Sequence, residues 1–212
     1  MAVNSLDKFH KNWKLKKPNG FLIVISGPSG VGKGTIVTEV INSSTTIVKS
    51  VSVTTRKPRG TEINGEDYFF KSIEDFSEMI DNDALLEYAC VFGGKLYGTP
   101  KDYVEEQISR GNDVILEIDV QGAMQVKRKW PNGIFVFVLP PTLQELERRL
   151  RERNTEDEEA IRNRLAVANK EFESIPEYDY LIVNDTLEES VDCVKSIITS
   201  NHCNIKNLLN QR

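Results

Sequence analysis

Glycines and a lysine between residues 27 and 35 have the spacing of a loop that binds phosphate. The run from Gly27 to Lys33 fits the pattern GxxxxGK, between an apolar strand-like run and a helical pattern. Glycines allow backbone N–H groups to approach phosphate oxygens, and the helix adds the positive end of its dipole. The lysine can reach the outer phosphates as a point charge. We predict contacts between a nucleoside triphosphate and the whole loop: Gly27, Pro28, Ser29, Gly30, Val31, Gly32, Lys33, Gly34 and Thr35.

The two residues after the lysine depart from the usual pattern, in which Ser or Thr follows the lysine directly and contacts Mg²⁺. Here Gly34 comes first and Thr35 second, so the hydroxyl is displaced by one residue. We predict Mg²⁺ as the cofactor that accompanies the triphosphate, with Thr35 as its candidate ligand. The sequence leaves open whether Thr35 binds the metal directly or through water.

A turn-prone arginine segment forms a second candidate phosphate site. Arg56 and Arg59 lie three residues apart in TTRKPR, where Pro58 stiffens the backbone. Two guanidinium groups can each present a fork of N–H donors to phosphate oxygens. Tyr68 and Tyr97 offer hydroxyl donors to the same phosphate. On their own, exposed arginine pairs are usually solvated surface.

The elements that must position these residues alternate between strand and helix. We predict buried strands at Phe21–Ser26, Asp113–Asp119, Ile134–Leu139 and Tyr180–Val183. Helical patterns lie at Thr35–Asn42, Gln121–Lys129, Thr142–Arg153, Glu158–Glu173 and Leu187–Ser200. This alternation predicts an α/β fold, a three-layer core around a parallel sheet with right-handed crossovers.

Residues 52–99 interrupt that alternation. The segment is rich in Gly, Thr, Tyr and charged residues, and we interpret it as short strands with turns. Because it is too long for an ordinary connection, we predict an inserted subdomain, with the core formed by residues 20–51 and 100–200. Residues 1–19 are predicted to be an N-terminal extension and residues 201–212 a polar, loosely ordered tail.

Composition excludes several classes of function. The chain has 212 residues and a formal net charge of −5, which argues against non-specific nucleic-acid binding. It lacks an apolar run of about 20 residues that could span a membrane. Three cysteines without a CxxC pair favour a reducing compartment, so we predict a cytoplasmic protein. The basic N-terminal extension leaves an organelle transit segment as the alternative.

Further motifs resemble the guanylate kinase family. They are the runs Ser52–Arg59, Asn64–Phe70, Leu86–Tyr88, Tyr97–Thr99, Glu117–Gly122 and Val183–Asp185, and the resemblance extends from about Gly20 to Ser200. It implies a phosphate-loop (P-loop) NTPase core, an inserted GMP-binding subdomain and a mobile lid. It also implies the reaction ATP + GMP ⇌ ADP + GDP, with GMP and dGMP as acceptors.

The resemblance places guanine beside Glu87, Ser52 and Thr99. Guanine presents its N1–H and N2–H₂ donors side by side, and one carboxylate can accept both, whereas adenine has an acceptor at N1. A site that leaves a buried polar group unpaired can reject the wrong base by about 10⁴–10⁵-fold. The family's carboxylate that matches Asp119 also lies beside bound GMP. Solvation of a strand end is the alternative interpretation of Asp119.

The resemblance assigns catalytic arginines to a mobile lid at about residues 149–164. Arg149, Arg153 and Arg164 match the arginines of the family's lid and of the helix that follows it, and with Lys33 they form the predicted catalytic set. Cations there would stabilise the charge that spreads over the transferring phosphoryl group. The neighbouring Arg148, Arg151 and Arg162 are predicted to form ion pairs with nearby glutamates.

We therefore predict an ATP-dependent GMP kinase that transfers phosphate directly, without a covalent enzyme intermediate, as a monomer or a homodimer. ATP and GMP are its predicted partners, and nucleic acid and membrane are not. The alternatives are a catalytically inactive binding module of the same fold and a kinase for AMP, UMP or dTMP. Lys33 and the lid arginines argue against the first, and Glu87 against the second.

Overall fold

The computed structural model describes residues 19–91, 94–152 and 158–204. Nine strands lie within these ranges. They are β1 (Leu22–Ser26), β2 (Ile47–Lys49), β3 (Val53–Thr54), β4 (Phe69–Phe70), β5 (Leu85–Val91), β6 (Lys95–Pro100), β7 (Asp113–Glu117), β8 (Ile134–Leu139) and β9 (Tyr180–Val183).

The helices of these ranges connect the strands. They are α1 (Lys33–Asn42), α2 (Ile73–Asp81), α3 (Lys101–Ser109), α4 (Val120–Lys129), α5 (Leu143–Glu152), α6 (Glu158–Glu171) and α7 (Leu187–His202), with a 3₁₀ helix at Phe172–Glu177. Among the described residues, each helix is too short or too polar to cross a membrane.

The larger sheet is parallel and has the order β2-β7-β1-β8-β9. All five residues of β1 are buried, because helices cover both faces of this central strand. The predicted parallel α/β core is therefore confirmed. In such sheets ligands bind in the crevice at the carboxyl ends of the strands, and the loop that starts at Gly27 leaves β1 at that end.

The smaller sheet has the order β4-β3-β6-β5 and belongs to the segment predicted as an insert. Strands β3 and β4 are parallel, whereas β6 pairs antiparallel with both β3 and β5. The short strands predicted for this segment are confirmed by β3 to β6. The prediction was wrong only for Ile73–Asp81, which form helix α2, because Ser72 and Asp75 form a capping box and the fully buried Phe76 packs against Val53 and Leu85.

Other boundaries also differ from the predictions. Strand β2 and helix α3 were not predicted, and β7 ends at Glu117 because Asp119 caps α4 instead of continuing the strand. Helix α7 continues past Ser200 to His202, where a ring nitrogen lies 2.8 Å from the buried carboxylate of Asp113. That contact orders residues assigned to a loose tail.

Candidate functional site

The side chain of Lys33 turns back towards the backbone of the phosphate loop. The Lys33 ammonium donates to the carbonyl oxygen of Gly27 at 2.5 Å and to that of Pro28 at 2.9 Å. Gly32, which caps helix α1, has a φ of 96°, a left-handed conformation that favours glycine. The Lys33 ammonium therefore lies against the backbone of its own loop.

Asn184, the residue after β9, forms a hydrogen bond to the backbone of the phosphate loop. Its side-chain amide donates to the carbonyl of Val31 at 2.7 Å, and its oxygen accepts from Ser190 at 2.9 Å. A Cβ atom on Gly32 would lie 2.4 Å from this amide nitrogen, so Asn184 requires glycine there. The motif at Val183–Asp185 pointed to the family, but nothing in the motif predicted this contact.

A recess of about 470 Å³ opens beside the loop. Thr35 lies on its wall. Its lining residues are Gly30, Gly32, Thr35, Arg149, Glu152, Asn184, Asp185 and Leu187. The position suits the part of a nucleotide that extends away from its outer phosphates.

Glu117, the last residue of β7, faces the start of helix α1. A Cβ atom on Gly34 would lie 3.0 Å from a carboxylate oxygen of Glu117, so this carboxylate lies where a side chain at position 34 would point. The other oxygen of Glu117 forms an ion pair with Lys49 at 2.7 Å. Glu117 was not among the predicted site residues, although its place at the end of a predicted buried strand was a usable signal.

Arg56 lies at the centre of a polar and aromatic cluster on the smaller sheet. The residue is 9% exposed, its Nε atom donates to the Tyr97 hydroxyl at 3.1 Å, and its guanidinium carbon lies 5.1 Å from the ring centre of Tyr68. The two tyrosine rings meet edge to face at 6.0 Å. The structure thus brings together three of the four residues predicted to hold a phosphate.

Glu62 is the counter-ion of this cluster, and sequence reasoning missed it. Its two carboxylate oxygens accept from the two terminal nitrogens of Arg56 at 2.8 Å each. One of them also accepts from the backbone N–H of Arg59 at 2.7 Å. These bonds, chiefly the bond from Arg56, lower the pKa of Glu62 to about 2. The side chain of Arg59, the fourth predicted residue, is exposed beside the cluster.

Glu87 and Thr99 form a buried pair on the adjacent strands β5 and β6. The Thr99 hydroxyl donates to one oxygen of Glu87 at 2.6 Å. Burial raises the pKa of Glu87 to about 7, which the bond from Thr99 opposes and the charge of Asp119 reinforces. Ser52 is half-buried in the chain leading into β3, and its carbonyl accepts from Phe69 at 2.9 Å.

Two close approaches shape the space around Glu87. A Cβ atom on Gly98 would lie 2.9 Å from the Glu87 carbonyl oxygen, and one on Gly122 would lie 3.2 Å from its second carboxylate oxygen. Asp119 is exposed and accepts from the backbone N–H of Gly122 at 2.8 Å as the cap of α4. One oxygen of Asp119 therefore has a structural partner, which the sequence did not indicate.

The predicted catalytic arginines approach the phosphate loop from α5 and α6. Arg149 donates to the carbonyls of Val31 at 3.3 Å and Asn184 at 3.1 Å, and pairs with Glu145 at 2.7 Å. Arg164 donates to the Ser29 hydroxyl at 2.7 Å. Arg153 lies outside the described residues, as does the middle of the predicted lid.

The ion pairs predicted for neighbouring arginines are confirmed for two of three. Arg148 pairs with Glu145 at 2.7 Å and also with Glu152. Arg151 pairs with Glu147 at 2.7 Å and also with Glu158. The described contact of Arg162 goes instead to the backbone carbonyl of Glu158, at 3.3 Å.

Comparison with known proteins identifies close relatives. Residues 19–201 match the family model described as guanylate kinase. A guanylate kinase of Desulfitobacterium hafniense is 49% identical over 192 residues, which cover 91% of this chain and 96% of that protein. One from Bacillus cereus is 51% identical over 190 residues, covering 89% and 92%. The crystal structure of guanylate kinase from Anaplasma phagocytophilum has a TM-score of 0.65 and 33% identity, covering 86% of each chain.

Proposed function

The chain belongs to the guanylate kinase family, and on that premise we propose that residues 27–35 hold ATP while Arg56, Glu87 and Thr99 hold GMP. The protein is an enzyme that phosphorylates GMP to GDP at the expense of ATP. The assignment of individual residues rests on the geometry of the site and on the chemistry of the two nucleotides.

The observation that carries the assignment is the buried carboxylate of Glu87. Thr99 occupies one of its oxygens, and both oxygens retain lone pairs for further donors. Guanine offers two adjacent donors, N1–H and N2–H₂, to such a carboxylate. Adenine would place its N1 lone pair against the carboxylate, which is unfavourable for a buried group that needs donors. Glu87 therefore selects guanine.

The phosphate of GMP would bind at Arg56, Tyr68 and Tyr97, with Arg59 at the rim. The guanidinium of Arg56 is already oriented by Glu62 and by Tyr97, so little side-chain entropy is lost when a phosphate arrives. The dianionic phosphate competes with Glu62 for the same N–H donors. Asp119 and Ser52 complete the GMP side as predicted contacts.

The donor set near the loop fits Mg²⁺, which prefers oxygen ligands and retains several waters. The carboxylate of Glu117 is the protein oxygen that lies where a side chain at position 34 would point, and Thr35 remains the predicted hydroxyl. When bound, Mg²⁺ would neutralise charge on the ATP phosphates. The location of Thr35 in the recess beside Asn184 favours Glu117 over Thr35 for this role.

Lys33, Arg149, Arg153 and Arg164 supply positive charge around the transferring phosphoryl group. An oxygen of the GMP phosphate attacks the γ-phosphorus of ATP, the bond to the β–γ bridging oxygen breaks, and ADP leaves. The attacking oxygen is already anionic near neutral pH, so no general base is required. Positioning and electrostatic stabilisation account for the catalysis. Closure of the predicted lid would exclude water.

Use of dGMP, a monomeric or dimeric state and a cytoplasmic location stay predictions from the sequence. The residue assignment is tested by measuring ADP formation with ATP and a panel of GMP, AMP, UMP and dTMP, for the wild type and for Lys33→Met. We expect turnover with GMP far above the others, and loss of turnover with retained GMP binding in the variant. Undiminished turnover in Lys33→Met would exclude the loop as the ATP site.

A further inference from the structure

Among the described residues, strand β5, which carries Glu87, is the edge strand of the smaller sheet, with β6 as its one neighbouring strand. Helix α4, which belongs to the core around the larger sheet, contacts the outer side of β5. The Gln125 side chain accepts from the backbone N–H of Tyr88 at 3.2 Å and donates to the Tyr88 carbonyl at 3.0 Å. One amide thus satisfies both backbone groups of the residue that follows Glu87.

The register of β5 is irregular at this point. Its pairing with β6 slips between Leu85, opposite Pro100, and Tyr88, opposite Gly98. A bulge loses ladder hydrogen bonds and re-aims the side chains that it carries. The carboxylate of Glu87 lies on the bulged stretch, so the sheet alone does not fix its direction.

Helix α4 holds the strand on both sides of the irregularity. Lys129 donates to the carbonyl of Leu85 at 2.7 Å. Gln125, one helical turn earlier, forms the two hydrogen bonds with the Tyr88 backbone. Between these anchors Leu86 is fully buried in the core that also contains Ala123 and Val126 of the helix. Gly122, on the first turn of α4, leaves room beside the carboxylate of Glu87.

We propose that Gln125 is a positioning residue for guanine selection: its amide holds the bulged strand β5 against α4, which aligns Glu87 to accept both guanine donors. This inference rests on the proposed role of Glu87. The described hydrogen bonds of Gln125 go to the Tyr88 backbone, so we assign it no direct contact with either nucleotide. Its contribution is alignment, and a misaligned carboxylate still accepts one donor while losing the second.

Comparison of GMP with IMP measures that alignment. Hypoxanthine keeps N1–H but lacks the N2 amino group, so IMP can donate once to Glu87 where GMP donates twice. In Gln125→Met, which keeps the length of the side chain but removes both hydrogen bonds, we expect the preference for GMP over IMP in kcat/KM to shrink roughly fivefold, about the worth of one neutral hydrogen bond. KM for ATP should be unchanged.

The control variant is Gln107→Met. Gln107 is also a half-buried helical glutamine, and it accepts a side-chain hydrogen bond from Asn112 at 2.8 Å. It lies on α3, outside the proposed site, and its substitution should leave the GMP:IMP preference unchanged. Gln125→Glu keeps an acceptor for the Tyr88 N–H but sets a carboxylate oxygen against the Tyr88 carbonyl. It should reduce the preference at least as much as Gln125→Met, and it provides a second variant if Gln125→Met fails to fold.

The double variant Glu87→Gln/Gln125→Met separates the two claims. If Glu87→Gln alone leaves the GMP:IMP preference intact, the proposed base recognition fails. If Glu87→Gln lowers the preference but both Gln125 variants lose turnover equally with GMP and IMP, or lose none, the inference about Gln125 is overturned while the function stands. We expect Gln125→Met to have no further effect on the preference once Glu87 is replaced.

Discussion

The carboxylate of Glu87 accepts a hydrogen bond from the Thr99 hydroxyl at 2.6 Å, in a place where Glu87 is 6% exposed and Thr99 is 1% exposed. A carboxylate withdrawn from water in this way binds protons more readily, because burial disfavours its charged form. The pKa of Glu87 is raised to about 7, within the range over which the enzyme can be assayed.

GMP recognition should therefore depend on pH. Guanine donors require the ionised form of Glu87, which is abundant above its pKa and scarce below it. We expect KM for GMP to rise about tenfold as the pH falls from about 8 to about 6. The measurement is a pH series of initial rates at saturating ATP.

The GMP phosphate itself gains a proton near a pKa of about 6, which also weakens binding at low pH. Glu87→Gln serves as the control, because its profile keeps the phosphate contribution and loses that of the carboxylate. Identical profiles for the two proteins would show that Glu87 does not titrate in the assayed range.

Arg56 should not tolerate lysine. Its guanidinium donates to Glu62 through two nitrogens and to Tyr97 through a third, which a single ammonium cannot reproduce. For Arg56→Lys we expect KM for GMP to rise roughly tenfold or more, with KM for ATP unchanged. Lys71→Ala, which removes an exposed cation directly after β4, is the control. An equal rise in both KM values would assign Arg56 a structural role.

Arg164 and Arg162 lie on the same helix, α6, and their variants can be compared directly. Arg164 reaches Ser29 of the phosphate loop at 2.7 Å, whereas the described contact of Arg162 is to the backbone of its own helix. We expect Arg164→Met to lower kcat by roughly 10³-fold with little change in GMP binding, and Arg162→Met to lower it less than about twofold. Single-turnover rates and calorimetric titration with GMP give both quantities, and similar losses in the two variants would contradict the assignment.

The sequence predicted the parallel core well because buried strands leave continuous apolar runs, as in Leu22–Ser26 and Ile134–Leu139. It also predicted most residues that the site brings together. It missed those whose roles depend on distant partners. Glu62 has a role because it accepts hydrogen bonds from the guanidinium of Arg56. Gln125 has a role because it bonds to Tyr88, which is 37 residues away in the chain.

The sequence also could not predict which way the side chains at positions 34 and 35 point at the start of helix α1. The order Gly34-Thr35 displaced a hydroxyl by one residue, but only the structure shows that position 34 faces Glu117 and that Thr35 lies in the recess with Asn184. Consecutive helical residues point about 100° apart, so one position decides which side of the loop a side chain serves.

Glu117 should accordingly control the metal requirement more than Thr35 does. For Glu117→Gln we expect the Mg²⁺ concentration at half-maximal rate to rise about tenfold, and for Thr35→Val less than about twofold. Titration of Mn²⁺ into each protein with a non-hydrolysable ATP analogue, followed by electron paramagnetic resonance, reports binding without turnover. A larger effect in Thr35→Val would identify Thr35, and not Glu117, as the metal ligand.

The most direct test of guanine selection is the kcat/KM of Glu87→Gln for GMP, measured beside KM for ATP. We expect kcat/KM for GMP to fall by roughly 10²–10³-fold, because the amide offers an N–H group where guanine also donates, while KM for ATP changes less than about twofold. Comparable losses for the two nucleotides, or undiminished turnover of GMP, would contradict the account.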